Sequence, residues 1–302
     1  MSDIRLSVVI AAHDAADALQ TCLEALAPQQ GDGSVEVIVA DSSSDGTPAL
    51  VARRFPWVRL LHFDMPLPVP VLRGRGIAVA RGALIAILDP YSVAAGDWVE
   101  RLLAAHASGA NLVIGGAVDL YEPRGRSLTE WALYFNEYGL FMPPVREGET
   151  WIVPGSNVSY KRMALFDGAQ PRYPVFWKTV VNAEIERAGS PLWLAPAVVV
   201  ALNKPIPFSD FLRTRYHHGR CYAALRVRDA PWLTRLAYAA AAPLLPGLLL
   251  WRWSRGFWPK RRNHLRFVAT VPLQLALFAV WASGEACGYL RGAGRSCAQL
   301  FY

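Results

Sequence analysis

The chain has 302 residues, enough for one large α/β domain with an appendage or for two ordinary domains. Hydrophobic residues make up 53% and the mean hydropathy is +0.20, high for a wholly soluble protein, with the excess concentrated after about Trp232. Net charge is +7 and only four of the 31 basic residues are lysine; arginine's planar fork suits phosphate, and no zinc knuckle, RNA-binding aromatic signature or dense basic helix in roughly the first two hundred residues points to nucleic acid.

Leu6 to Ala12 (LSVVIAA) reads as a buried strand, broken by His13 and Asp14, and Ala15 to Ala27 has helical spacing with Leu19, Leu23 and Leu26 on one face. Val35 to Ala40 is a second strand that delivers Asp41 to its carboxyl end, where a row of small hydroxyl residues follows. Asp45, Gly46 and Thr47 form a turn into a helix from Pro48 to about Phe55. Val58 to Phe63 and Ala83 to Leu88 are further strands, with helical segments between them. Strands alternating with helices predict an α/β, mostly parallel, doubly wound sheet, whose ligands bind outside the carboxyl ends of the strands. Neither G-x-G-x-x-G nor a Walker loop is present, so nucleotide binding would use other chemistry.

Farther along, Gly96 to Ala107 reads as a helix, Leu112 to Val118 as a strand and Leu128 to Leu140 as an aromatic amphipathic helix. Leu192 to Leu202 is expected to be a late strand pair, and Phe208 to Arg226 a basic amphipathic helix carrying Arg213, Arg215, His217, His218 and Arg220. His217 and His218 are not read as zinc ligands, because adjacent side chains diverge on a helix. Trp232 to Leu250 and Phe267 to Leu290 each approach the roughly 20 apolar residues that span a bilayer, although Pro243, Pro246, Pro272 and Glu285 interrupt them. The stretch between them is basic and bears tryptophan. Resting in the plane of the cytoplasmic leaflet is favoured over a spanning hairpin or a buried helical subdomain. Cys22, Cys221, Cys287 and Cys297 lack metal-like or disulfide-like spacing, which predicts reduced thiols, and the start MSDIRLSVVI carries no signal peptide.

LSVVIAAHDAAD, VIVADSSSDGT, RGRGIAVARG (Arg73 to Gly82) and ALIAILDPY (Ala83 to Tyr91) fall in an order and spacing that resembles an inverting family 2 glycosyltransferase of GT-A fold. The resemblance covers roughly Leu6 to Arg226 and is strongest in the first ninety residues. It implies that His13, Asp14 and Asp41, with Ala12 and Ser43 beside them, hold the base and ribose of a nucleotide sugar. Carboxylates suit that task because they accept from a uracil N–H or ribose hydroxyls. Arg73 and Arg75, read as lying just ahead of a small-residue helix, are placed to approach phosphate. Gly155, Ser156 and Asn157, otherwise a plain turn, become candidate sugar contacts, and Arg220 a candidate phosphate contact.

Two departures stand out. Where relatives show Asp-x-Asp, this chain reads Asp89, Pro90, Tyr91, so either Asp89 holds a divalent metal (Mg or Mn) with the diphosphate and water, or arginines carry the charge, or catalysis is lost. Where the family places its catalytic acids, the register puts Trp177 and Lys178, leaving Glu184 and Asp167 as the nearby candidate bases. The expectation is a membrane-associated hexosyltransferase-type enzyme. It would take a UDP- or GDP-linked donor and a glycan, glycolipid or polyprenyl-linked acceptor in bacterial envelope polysaccharide synthesis, at the cytoplasmic face of the membrane, without nucleic acid. Its expected divisions are residues 1–205, a basic helix over 206–231 and a hydrophobic helical region over 232–302. The rival is a catalytically silent scaffold subunit of a glycan-assembly complex.

Overall fold

Leu6–Ala12 forms strand β1, buried along its whole length as a central parallel strand must be. The computed structural model describes residues 4–31, 33–121, 126–204 and 207–300. These fall into two compact units, one within Met1–Tyr121 and Phe141–Lys204, the other within Glu122–Leu140 and Pro205–Tyr302.

In the first unit β1 is followed by α1 (Ala16–Leu26), β2 (Val35–Asp41), α2 (Thr47–Arg54), β3 (Arg59–His62), α3 (Val69–Ala78), β4 (Leu84–Leu88), β5 (Ser92–Ala94), α4 (Trp98–Ala107) and β6 (Val113–Leu120). After α5 (Leu128–Tyr138), which belongs to the second unit, come β7 (Gly148–Thr150), β8 (Asn157–Lys161), α6 (Arg162–Leu165), β9 (Phe166–Asp167), β10 (Gln170–Pro171), α7 (Lys178–Arg187) and β11 (Leu192–Leu202). Nine strands among the described residues make one sheet in the order β3-β2-β1-β4-β8-β6-β11-β5, with β7 on β11. The run β3-β2-β1-β4 is parallel, as expected; β8 then enters antiparallel to both β4 and β6.

The registers decide where the loops meet. Ala12 pairs with Asp41 and Ile10 with Leu88, so β1, β2 and β4 end on the same rim. Because β8 is antiparallel and Asn157 faces Leu88, the residues just before β8 arrive at that rim as well. The other end of β8, Lys161 opposite Leu84, leads to the β9–β10 hairpin at the opposite edge.

Several expectations are corrected. Arg73 and Arg75 lie inside α3, not ahead of it, because Pro70 in the first turn lets the helix begin at Val69. Leu192–Leu202 is one long strand with a bulge between Ala195 and Val199 rather than a pair. The segment read as a Gly-Ser-Asn turn becomes a strand from Asn157 onward.

The second unit contains α5, α8 (Phe208–Arg226), α9 (Trp232–Ala241), α10 (Leu245–Phe257) and α11 (His264–Arg291). Leu133 of α5, Phe211 of α8 and Leu277 of α11 share one buried cluster, so α5 belongs here rather than to the first domain. Helices α8 and α11 approach closely: a Cβ on Gly284 would stand 2.3 Å from the Tyr216 carbonyl oxygen, and one on Gly219 2.4 Å from that of Trp281. Pro272 does not break α11, which runs through it for 28 residues, whereas Pro243 and Pro246 sit at the starts of successive helical turns. Cys221 and Cys297 form a disulfide, against the expectation of reduced thiols; residues 76 apart in sequence are brought together when the C-terminal turn returns to α8. Trp232–Lys260 and His264–Arg291 are long and apolar enough to cross a membrane by length and composition, and the first is only 6% buried over its most apolar window.

Candidate active site

The loops after β1 and β2 are laced together. Asp14, held at φ 45°, accepts on Oδ1 from the backbone N–H of Ser44 at 2.8 Å and of Asp45 at 3.3 Å, while its own N–H donates to Ser43 Oγ at 2.8 Å. His13 Nδ1 lies 2.9 Å from the Ser42 carbonyl, and Ala12 is buried in the sheet. Asp41, expected to meet the nucleotide directly, is instead fully buried: one oxygen accepts from Ser43 Oγ at 2.5 Å and the other lies 2.7 Å from His62 Nδ1. Its carboxylate therefore positions Ser43 and His62. His62 ends β3 opposite Asp41, keeps 32% of its side chain exposed, and was not identified from the sequence; the strand register is the signal that places it.

The second half of the rim centres on Asp89, just past β4. Its Oδ1 accepts from Arg73 Nη2 at 2.5 Å, and the same Nη2 reaches the Gly155 carbonyl at 3.2 Å. Arg73 Nε and Ser156 Oγ are buried and have no hydrogen-bond partner among the described residues. Buried donors are seldom left unmade, so the pair marks a place where a polar ligand would be satisfied. Behind Asp89, the Cys22 thiol points at its carbonyl at 3.8 Å, and burial, reinforced by the Asp89 charge, pushes this thiol up to about 12.

Lys178, the first residue of α7, donates to the Val153 carbonyl at 2.6 Å, and both Arg73 and Asp89 act on its charge. Burial of the ammonium, reinforced by Arg73 and opposed by Asp89, lowers its pKa to about 8. Lys178 is held there by α3: the Phe176 N–H donates to the Pro70 carbonyl at 2.8 Å, and Gly74 packs so closely on Pro174 that a Cβ would stand 2.1 Å from its carbonyl oxygen. On the far side, Tyr91 occupies the place of the second acid, with Lys204 Nζ 5.8 Å from its ring centroid.

Other candidates are not brought together here. Asn157 is 1% exposed and fully engaged, donating from Nδ2 to the Ala117 and Val198 carbonyls at 2.8 and 2.9 Å and accepting from Trp98 Nε1 at 3.0 Å. It braces the β11 bulge and is not free to touch a sugar. Arg75, two residues from Arg73 on the helix, is turned out to solvent. Asp167 is exposed in the hairpin at the opposite edge of the sheet. Glu184 is exposed on α7, accepts from the Tyr173 hydroxyl at 3.0 Å, and lies roughly 9 Å along the helix axis from Lys178. Arg220 belongs to the second unit, where its Nε donates to the Gly292 carbonyl at 3.0 Å.

The expected role of Asp89 as a metal ligand does not fit the residues present. Its carboxylate is already paired with Arg73, the Lys178 ammonium acts on the same charge, and Tyr91 supplies no second carboxylate.

The family model for glycosyl transferase family 2 matches residues 7–166, more than half of the chain. The chain belongs to glycosyl transferase family 2. It is 36% identical over 125 residues to the succinoglycan biosynthesis protein ExoO of Rhizobium meliloti (strain 1021), a match covering 41% of this chain and 36% of that relative. It is 28% identical over 130 residues to the glycosyltransferase AglE of Haloferax volcanii, covering 41% of this chain and 43% of AglE. The match thus spans less than half the length of these curated relatives. Among solved structures, the mannosyltransferase PcManGT from Pyrobaculum calidifontis, in complex with GDP-Man and Mn2+, superposes with a TM-score of 0.55 at 18% identity, covering 91% of this chain and 85% of that one. TarS 1-349 of S. aureus gives a TM-score of 0.52 at 13% identity, covering 97% and 91%. The family's GT-A fold is therefore the fold of this chain.

Proposed function

We propose that this family 2 member transfers a sugar from a nucleoside diphosphate donor to a glycan, glycolipid or polyprenyl-linked acceptor in envelope polysaccharide synthesis. The observation that carries the reading is the convergence on one rim of two halves of different chemistry. His13, Asp14 and His62 are polar groups suited to base and ribose, and Arg73, Ser156 and Lys178 are donors suited to phosphate. ExoO's name places it in succinoglycan biosynthesis and PcManGT was solved with GDP-Man, which supports both a glycan product and a nucleotide-sugar donor.

In the reaction the acceptor hydroxyl oxygen attacks the anomeric carbon in line with the departing diphosphate, so the configuration inverts. The new C–O bond forms as the bond to the β-phosphate oxygen breaks and that oxygen keeps the electron pair. A general base must be within reach of the hydroxyl proton. Neither Glu184 nor Asp167 stands at this rim, so the hydroxyl proton passes to an oxygen of the leaving diphosphate, and the chain's own contribution lies in orienting the donor and stabilising the charge that develops on that diphosphate. Trp177 and Lys178 in place of the catalytic acids also favour a second reading, a catalytically silent scaffold subunit of a glycan-assembly complex.

The second unit supports action at a membrane surface. Trp232, Leu233, Leu236, Leu244, Leu248 and Trp251 are all exposed on one helical stretch, and Arg252, Arg255, Arg261, Arg262 and Arg266 follow. Apolar anchors beside arginines fit an anionic leaflet, and we assign the cytoplasmic one. The test is release of nucleoside diphosphate from a panel of UDP- and GDP-sugars by the purified chain, with and without a lipid extract as acceptor, against Arg73→Ala. Release that the variant loses supports the enzyme; saturable donor binding without release points to a silent subunit that keeps donor affinity; neither binding nor release refutes the enzyme and leaves the scaffold.

A further inference from the structure

We propose that Arg73 and Lys178 form a metal-free cationic clamp for the donor's diphosphate, taking the place of a divalent ion at this rim. The inference rests on the nucleotide-sugar reading above and deepens it by naming how the leaving group is held.

The charge pattern at Asp89 is the reverse of a cation site. A protein site for a divalent ion that bridges a diphosphate presents one or two carboxylates and a net negative charge. Here a single carboxylate faces two cations, Arg73 bonded to Asp89 and Lys178 electrostatically linked to both, so the local balance is positive. Tyr91 adds no charge where a second acid would, and Lys204 brings a further positive charge toward its ring. A divalent ion is repelled by this arrangement and a diphosphate attracted.

The hydrogen-bonding capacity agrees. Arg73 spends Nη2 on Asp89 and Gly155, which fixes the plane of the guanidinium, while its buried Nε–H is unsatisfied. Lys178 has three N–H donors, and Val153 is its one hydrogen-bond acceptor among the described residues. Ser156 Oγ supplies another unsatisfied buried group on the same loop. Phosphate oxygens would satisfy these donors with charge-assisted bonds. The clamp is rigid before a ligand arrives, because α3 carries Arg73 and also grips the segment leading to Lys178 through Pro70 and Gly74. Preorganised donors cost no rearrangement as charge develops on the leaving oxygen.

The test titrates UDP, UMP, GDP, GMP and inorganic pyrophosphate into the full chain in EDTA and again in Mn2+, for the wild type, Lys178→Met and Lys178→Arg, with circular dichroism checking that each variant is folded. The clamp requires a nucleoside diphosphate to bind in EDTA with an affinity within about threefold of that in Mn2+, and pyrophosphate to compete. Lys178→Met should weaken diphosphate binding by about tenfold or more, as expected for removal of a charge-assisted contact, and monophosphate binding far less. Lys178→Arg should recover most of the loss. Diphosphate binding that appears only with Mn2+ overturns the clamp and leaves the donor reading standing. A Lys178→Met protein that is folded and binds diphosphate as the wild type does overturns the role of Lys178. No nucleotide binding in either buffer overturns the donor reading and the clamp with it. Should Lys178→Met fail to fold, the wild-type comparison of EDTA with Mn2+ and the Lys178→Arg titration still decide.

Discussion

Replacing Asn157 by aspartate keeps the side chain's shape and reverses the chemistry of one arm. In the structure Nδ2 donates to Ala117 O at 2.8 Å and Val198 O at 2.9 Å, and the residue is 1% exposed. An aspartate retains the bond from Trp98 Nε1 but loses both donated bonds and sets an oxygen against two carbonyls. Each buried group left unmade costs about 1–3 kcal/mol, so the loss is about 2–6 kcal/mol before the cost of the buried charge is added. The sign of its pH dependence is fixed. The new carboxyl has a folded pKa raised above the unfolded value of about 3.9, so the ionisation penalty is absent below that pH and grows by about 1.4 kcal/mol per unit up to the folded pKa. Native-state hydrogen exchange of the β6, β8 and β11 amides at neutral and acid pH measures this locally, without requiring the two units to unfold together. Protection equal to wild type at neutral pH, combined with lost donor binding, would refute the reasoning and return Asn157 to the sugar pocket.

His106 provides an acid limb. It is 5% exposed, its Nε2 lies 2.8 Å from Ser159 Oγ, and burial, with a smaller push from Lys161, lowers its pKa from 6.5 to about 4. A depressed histidine stabilises the fold fully above the unfolded pKa; as pH falls below about 6.5 the unfolded chain takes up the proton first. Up to about 3 kcal/mol is therefore lost by pH 4, and His106→Gln should flatten that limb in thermal melts taken across the range. Reducing the Cys221–Cys297 bond removes a constraint across 76 residues, which the chain-entropy relation puts at about 4 kcal/mol; α8 and α11 amides should lose protection in dithiothreitol, and an unchanged exchange pattern counts against it. In the second unit, Leu248→Glu with Trp251→Glu removes two exposed apolar anchors, each worth about 2 kcal/mol when buried. Flotation with phosphatidylglycerol vesicles should fall by at least about tenfold, and unchanged flotation would sink the membrane reading.

The strands β1, β2 and β4, the helices after them and the boundaries of α8 were legible because their apolar periodicity is local and a charged or small residue ends each run. The motifs around Asp14, Asp41 and Asp89 likewise pointed to one rim of an α/β sheet and to the family. What each side chain does at that rim was not legible. Asp41 and Asp89 look alike in sequence, as acids ending apolar strands, yet one is sealed between Ser43 and His62 and the other is paired with Arg73. Arg73 and Arg75 look equivalent, yet helical geometry turns one inward and the other out. Lys178 reads as a missing acid until α3 brings it beside Arg73 from roughly a hundred residues away. The local alternation of apolar and polar residues determined which segments became strands and helices, because burial of a face depends on near neighbours. The antiparallel entry of β8, the α3–α7 contact and the disulfide were decided only in three dimensions, because each joins residues whose separation along the chain leaves no periodic trace.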